Sequence, residues 1–182
     1  ERDLIIRKIQ YMRIIIGLGK PGAQYRSTRH NVGWAVLDAL AGKQKWQTDA
    51  KAKAQYCELS DDILLIKPQT FMNASGQTAA YLHKKLPRLP LTDWLIVHDD
   101  KDINFGKIKL TAGARSAGHN GVQSIIESLG TQDIPRLRIG VNNAAVLSRL
   151  PTDKFVLAKF TPAERQQLPG IIQEAVQKIS HN

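Results

Sequence analysis

The sequence predicts a single α/β domain: a mixed, mostly parallel sheet flanked by helices. Three observations lead there. Short β-branched runs (RIIIG, ILLIKP, WLIV, RLRIGV) recur along the chain, segments of helical periodicity separate them, and no repeat or interdomain linker interrupts the series. At 182 residues, 42% hydrophobic and 23% charged, the chain has the material for one soluble core.

MRIIIGL reads as a buried first strand ended by glycine, followed by the polar loop GKPGAQYRSTRHN. VGWAVLDALAGK has helical spacing, with Val32, Val36, Leu37 and Leu40 on one side and Gly42 as the stop. Residues 53–59 and ILLIKP read as paired strands joined by Ser60-Asp61-Asp62. After the loop PQTFMN, residues 74–86 form a helix closed by the proline-rich PRLPL. DWLIVHDD is a strand whose apolar centre predicts burial on both faces. GKIKLTAGARSAG is a strand entering a small-residue loop, HNGVQSIIESLG a helix ended by Gly130, and RLRIGV a further strand. The stretch to residue 153 reads as loop, and residues 161–179 as a final helix. The leading ERDLIIRKIQY, ahead of Met12, reads as an extension in residues 1–11, without the small-residue cleavage site of a signal peptide; the domain is assigned to 12–182.

Charge narrows the partners. With 26 Lys and Arg against 16 Asp and Glu, the net charge is +10. That excess favours a polyanion, nucleic acid first and an anionic membrane surface second. No apolar run approaches the roughly 20 residues that span a bilayer, so no membrane segment is expected. The lone Cys57 has no partner for an intramolecular disulfide, which suits a reducing cytoplasm, and its strand-like setting (AQYCEL) makes it a poor nucleophile.

GLGKPG, residues 17–22, has the G-x-G-x-x-G spacing of a dinucleotide cradle. Such a cradle must turn directly into a helix whose first N–H groups hold the pyrophosphate. Here Pro21 removes one of those donors, and helical periodicity resumes only after AQYRSTRHN. Asp38 stands near the distance expected for the ribose-binding acid but falls inside a helical pattern. The glycines are better read as letting backbone approach a site at the carboxyl end of the first strand, where open α/β sheets place their sites.

Four polar clusters share that location: Tyr25 to Asn31, FMN at 71–73, HDD at 98–100 and GHN at 118–120. The five histidines (30, 83, 98, 119 and 181) show neither H-x-x-x-H spacing nor cysteine company, so no metal is expected. No G-x-S-x-G supports a serine nucleophile. What remains is histidine, aspartate and several asparagines. An imidazole can accept a proton near neutral pH, a carboxylate on its other nitrogen stabilises the imidazolium, and amides orient a carbonyl or donate to an oxyanion. That set suits hydrolysis by activated water, although any one of these side chains alone can be structural.

Taken in order, GLGKPG-x-x-Y-x-x-T-R-H-N, P-x-T-F-M-N-x-S-G, HDD-x-D, A-G-H-N-G and RLRIG resemble the bacterial-type peptidyl-tRNA hydrolases from Met12 to about Phe160. The resemblance implies a phosphorylase/hydrolase-like fold, a monomer, no cofactor, and cleavage of the ester between a peptide and the terminal ribose of tRNA. It further implies His30 as the base that deprotonates water and Asp99 as its partner. Asn73 and Asn120 would hold the peptide and water or donate to the oxyanion, with Asn120 also suited to a helix N-cap. Met72 and His119 would line the cleft, and Tyr25 would pack beside the terminal nucleotide. Met72 can equally be core, and Tyr25 can cap a loop. Arg138 matches a position that contacts tRNA phosphate, within a basic rim of Lys107, Lys109, Arg115 and Arg136. Three positions depart from the family pattern: Lys20 replaces Asn, Ala117 replaces Gly, and Thr111 stands where the second half of the phosphate clamp falls. Lys109 or Arg115 can supply that half, and Lys20 a phosphate contact. Lys20 also keeps open a second reading, a catalytically idle RNA-binding protein of the same fold.

Overall fold

The computed structural model describes residues 13–181; the N-terminal extension and the start at Met12 lie outside them. The first strand, β1 (Arg13–Gly17), has three fully buried isoleucines. Successive side chains of a strand face opposite sides of the sheet, so Ile14 and Ile16 enter one apolar cluster and Ile15 the other. Burial of each contributes roughly 1.5–3 kcal/mol.

Two 3-10 turns, Ala23–Tyr25 and Arg29–Asn31, shape the expected polar loop and lead into α1 (Val32–Ala41). An antiparallel meander follows: β2 (Gln47–Asp49), β3 (Ala54–Glu58) and β4 (Ile63–Pro68). The sequence pattern does not announce β2, because its first two residues are exposed and offer no apolar alternation. Then come α2 (Gly76–Lys85), β5 (Trp94–Asn104), β6 (Ile108–Thr111), α3 (Asn120–Leu129) and β7 (Arg136–Asn142). The stretch expected as loop contains two short helices, α4 (Ala144–Leu147) and α5 (Thr152–Leu157), before α6 (Pro162–Ser180). Tertiary contact holds them: Phe155 of α5 is fully buried in the core.

Among the described residues the strands form one 7-stranded sheet in the order β2-β3-β4-β1-β5-β7-β6. β1 runs parallel to β4 and β5, and β5 parallel to β7, while β6 returns antiparallel to β7. The sheet is thus mixed, with a parallel centre. One face packs on α2 and α3 through Ala79, Leu82, Val122 and Ile125. The other packs on α1 and α6 through Val36, Leu37, Ala175 and Ile179. As the apolar run WLIV predicts, Trp94 to Asp100 of β5 are buried throughout.

Arg29 ties the loop before α1 to the start of α6. Its guanidinium is fully buried, pairs with Glu164 at 2.7 Å, and donates to the carbonyls of Ala158 and Lys159. It also lies over the rings of Phe155 and Phe160, at 4.7 and 5.3 Å. Glu164 in turn closes a capping box with Thr161 at the start of α6. A buried charge is tolerated only when paired, and here each partner satisfies the other.

Candidate active site

His30 occupies the middle of the turn Arg29–Asn31, and both neighbours hold it in place. On one side stands the Arg29 tie. On the other, the Asn31 side chain accepts from the Lys20 backbone N–H at 2.7 Å and donates to the Lys20 carbonyl at 3.0 Å. The GLGKPG loop is therefore bound to the histidine turn. Gly17 and Gly33 allow this close approach: a Cβ on Gly33 would lie 2.4 Å from the Val97 carbonyl oxygen.

Asp99 comes from β5, whose Val97 pairs with Gly17 at the end of β1, so the carboxylate projects just beyond the first strand. His30 Nδ1 donates to Asp99 Oδ1 at 2.9 Å. A third element completes the group. His119 Nε2 donates to the same Oδ1, also at 2.9 Å, while its Nδ1 accepts the backbone N–H groups of Gly121 and Val122. His119 is thus the N-cap of α3, where Asn120 was expected to be suitable; Asn120 is the first helical residue and is exposed. The turn that delivers His119 runs through Ala117 and Gly118, with φ of 51° and 76°.

These partners assign the tautomers. Nδ1 of His119 presents a lone pair to two N–H groups, so its proton sits on Nε2. Nδ1 of His30 carries a proton toward Asp99, which leaves its Nε2 lone pair free for chemistry. Burial works against a charged His30, but the charge and hydrogen bond of Asp99 outweigh it and raise the pKa above the ordinary value; the Lys20 ammonium opposes the rise. Burial likewise works against ionised Asp99, yet the two histidines hold its carboxyl well below the usual range. Beside them, burial pushes His98 down to about 3. Its Nδ1 donates to the Asp99 carbonyl at 2.7 Å and its Nε2 is buried without a hydrogen-bond partner.

A cavity of about 340 Å³ opens on this group. His30, Asp99, His119 and Asn120 line it, together with Lys101, Ser116, Ala117, Gly118 and, from α5, Thr152, Asp153 and Val156. His30, Asp99 and His119 also present one potential metal ligand each, all within 4.8 Å of one another. The hydrogen bonds disfavour a metal there: coordination through Nε2 of His119 would displace its proton while Nδ1 serves the cap, demanding an imidazolate or a broken helix start.

The remaining expected residues lie elsewhere. Met72 is 8% exposed and belongs to the core, packed where Gly121 has no Cβ; it does not line the cavity. Asn73 is exposed on the turn Met72–Ala74, and Tyr25 is half-buried on its own turn; neither lines the cavity. The Lys20 ammonium rests 4.1 Å above the Tyr25 ring. On the far strands, Lys109 of β6 stands directly across from Arg138 of β7. Arg138 donates to Asp100 at 2.8 Å, and Arg115 is exposed on the loop after β6. Arg136 corrects the expected basic rim: it is 2% exposed, with its guanidinium donating to the carbonyls of Ala114 and Arg115. The anchors Arg29 and Asn31 escaped the sequence reading as site residues. Their adjacency to His30 in T-R-H-N was the available signal.

Known proteins agree with this architecture. The family model described as peptidyl-tRNA hydrolase matches residues 14–181. The peptidyl-tRNA hydrolase of Mycobacterium leprae is 40% identical over 170 residues, covering 91% of this chain and 84% of the relative. That of Geobacter metallireducens is 42% identical over 168 residues, covering 90% and 84%. The crystal structure of peptidyl-tRNA hydrolase from Acinetobacter baumannii superposes with a TM-score of 0.82 at 32% identity, covering 93% of this chain and 87% of that one.

Proposed function

This chain belongs to the peptidyl-tRNA hydrolase family, and we propose that it hydrolyses the ester between a peptide and its tRNA with His30 as general base. The observation that carries the assignment of the base is the 2.9 Å bond between His30 Nδ1 and Asp99 at the edge of a cavity. Nε2 of His30 takes a proton from water as that water attacks the ester carbonyl. Asp99 stabilises the imidazolium. Asn120, exposed at the cavity wall, and Asn73 on the neighbouring loop donate to the oxyanion or hold the peptide. The tetrahedral intermediate then expels the ribose oxygen, which receives the proton back from His30. The products are a peptide carboxylic acid and tRNA.

Recognition of the RNA begins with charge. Lys109 and Arg138 stand across from each other on adjacent strands, and the buried Asp100 holds the Arg138 guanidinium in place beside Lys109. In this reading they clamp a tRNA phosphate, with Arg115 nearby, Lys20 at the cleft and Tyr25 beside the terminal nucleotide. Met72 acts from the core by supporting the loop that carries Asn73. The single buried Cys57, with no partner for an intramolecular disulfide, suits a cytoplasmic setting. No helix among the described residues is long and apolar enough to cross a membrane.

The test is hydrolysis of N-acyl-aminoacyl-tRNA by the full chain and by His30→Ala. General base catalysis is worth roughly 10²- to 10⁴-fold, so the variant should lose at least about a hundredfold in kcat and still bind tRNA. Unchanged turnover in the variant would remove the mechanism; tight binding without cleavage by the unsubstituted chain would remove the activity. Neutralising about three phosphates should give a log–log salt slope near −2 to −3.

A further inference from the structure

The groove between α1 and the β2–β3–β4 edge has no role in the chemistry above, although at about 630 Å³ it is larger than the His30 cavity. Trp34, Trp46, Gln55, Lys67 and Gln69 line it, with Arg26 among them. We propose that this groove holds the peptide of the substrate some residues away from the ester, which makes it a determinant of preference for longer peptides. The inference rests on the reading of the chain as a peptidyl-tRNA hydrolase.

Sheet order carries the first part of the argument. Lys109 and Arg138 lie on β6 and β7, on one side of β5, while the groove lies on β4 and β3, on the other. The reacting ester sits at Asp99 of β5, between them. RNA backbone held on the β7 side, with the terminal nucleotide at Tyr25 on the turn that borders the groove, leaves the β3–β4 strands to the acyl chain. Both sites also stand at the same end of the sheet: Ile66 pairs with Ile16, so Lys67 is level with Gly17, which pairs with Val97. Three strand spacings separate β5 from β3, roughly 15 Å, a span of about four or five extended residues. Asn31, next to His30, is itself part of the groove wall.

Charge carries the second part. Lys67 is ion-paired with Asp38 and covered by the Trp46 and Trp34 rings at 4.1 and 5.7 Å. These two charges cancel, and Arg26 is the remaining charge among the lining residues. A groove for nucleic acid combines aromatic platforms with several cations along the backbone. Indole faces with glutamine amides and a single net positive charge suit a peptide, whose backbone is neutral and rich in donors and acceptors.

The experiment compares two substrates on one tRNA, an N-acetyl-aminoacyl ester and a peptidyl ester of about eight residues, with the full chain and the variants Trp46→Ala and Gln55→Ala. Thermal melts accompany each variant, and the half-buried Gln55 keeps the test open if Trp46→Ala does not fold. Both variants should lower kcat/KM on the long substrate, Trp46→Ala by about tenfold, and leave the short one within about twofold. Equal loss on both substrates, weaker binding of deacylated tRNA, or no loss on either would overturn the groove assignment. An unsubstituted chain that cleaves neither substrate would instead overturn the proposed function, and the groove's role with it.

Discussion

His30 and His119 hydrogen-bond to the same oxygen of Asp99, each at 2.9 Å. One carboxylate, 1% exposed, thereby fixes two rings whose centroids lie 4.9 Å apart. The two differ in what their second nitrogen does. His119 spends it on the start of α3, whereas in the proposed mechanism the second nitrogen of His30 takes the proton of water.

That difference predicts separable effects at His119. His119→Asn keeps an N-cap side chain but removes the Nε2 donor, so kcat should fall by about tenfold with little change in melting temperature. His119→Ala also loses the cap and should cost about 1 kcal/mol of stability. Full kcat in the asparagine variant would reduce the second bond to Asp99 to packing.

The acid limb of the pH–rate profile should follow His30. As the proposed base, His30 must be neutral to act, and its pKa is raised, so kcat/KM should rise with pH through a midpoint above the ordinary value of about 6.5. Lys20→Asn removes an opposing charge and should move that midpoint to higher pH. Asp99→Asn removes the main cause of the rise and should move it lower, with a lower plateau. Stability carries the matching sign: the raised value means that the contribution of the His30–Asp99 pair is present in full below about pH 6.5 and lost as pH climbs through the folded-state pKa. A midpoint unmoved by Lys20→Asn would show that its ammonium has no bearing on the base.

Ala117 holds a φ of 51°, a left-handed conformation that costs a residue with a Cβ roughly 1–2 kcal/mol. Ala117→Gly relieves this and gives back roughly 0.4–1 kcal/mol through the greater freedom of the unfolded chain. A net gain of about 0.5–1 kcal/mol should appear in urea unfolding. Destabilisation by the glycine would mean that the alanine methyl makes a worthwhile contact in the cavity wall.

Arg29→Met should be the most damaging of these changes. It leaves Glu164, 4% exposed, buried without its cation, an error worth about 3–5 kcal/mol. Activity should fall as well, because α5 supplies Thr152 and Val156 to the His30 cavity and Arg29 holds the end of that segment. The double variant Arg29→Met with Glu164→Gln should lose less stability than the sum of the two single changes.

Much of this molecule is legible in its residues. The β-branched runs RIIIG and ILLIKP, the helical spacing of Val32, Val36 and Leu37, and the Gly42 and Gly130 stops are local signals, and each element they announce is present. β2 and α5 are not legible in that way. β2 is ordered by pairing with β3, and α5 by burial of Phe155 against Arg29; both depend on partners distant in the chain. The motif T-R-H-N marked His30, yet nothing in it told the buried tie of Arg29 from a solvated charge.

By itself, the sequence determined the α/β class, the parallel centre of the sheet, the position of the polar clusters at strand ends, and the lack of an α-helix directly after GLGKPG. Those properties follow from periodicity and turn chemistry over a few neighbouring residues. Only the tertiary structure decided that residues 69 and 20 positions from Asp99 meet on one of its oxygens, that His119 rather than Asn120 caps α3, and that Arg136 is buried. Hydrogen bonds between remote side chains depend on how strands and helices stack, and that arrangement exists only once the core has formed.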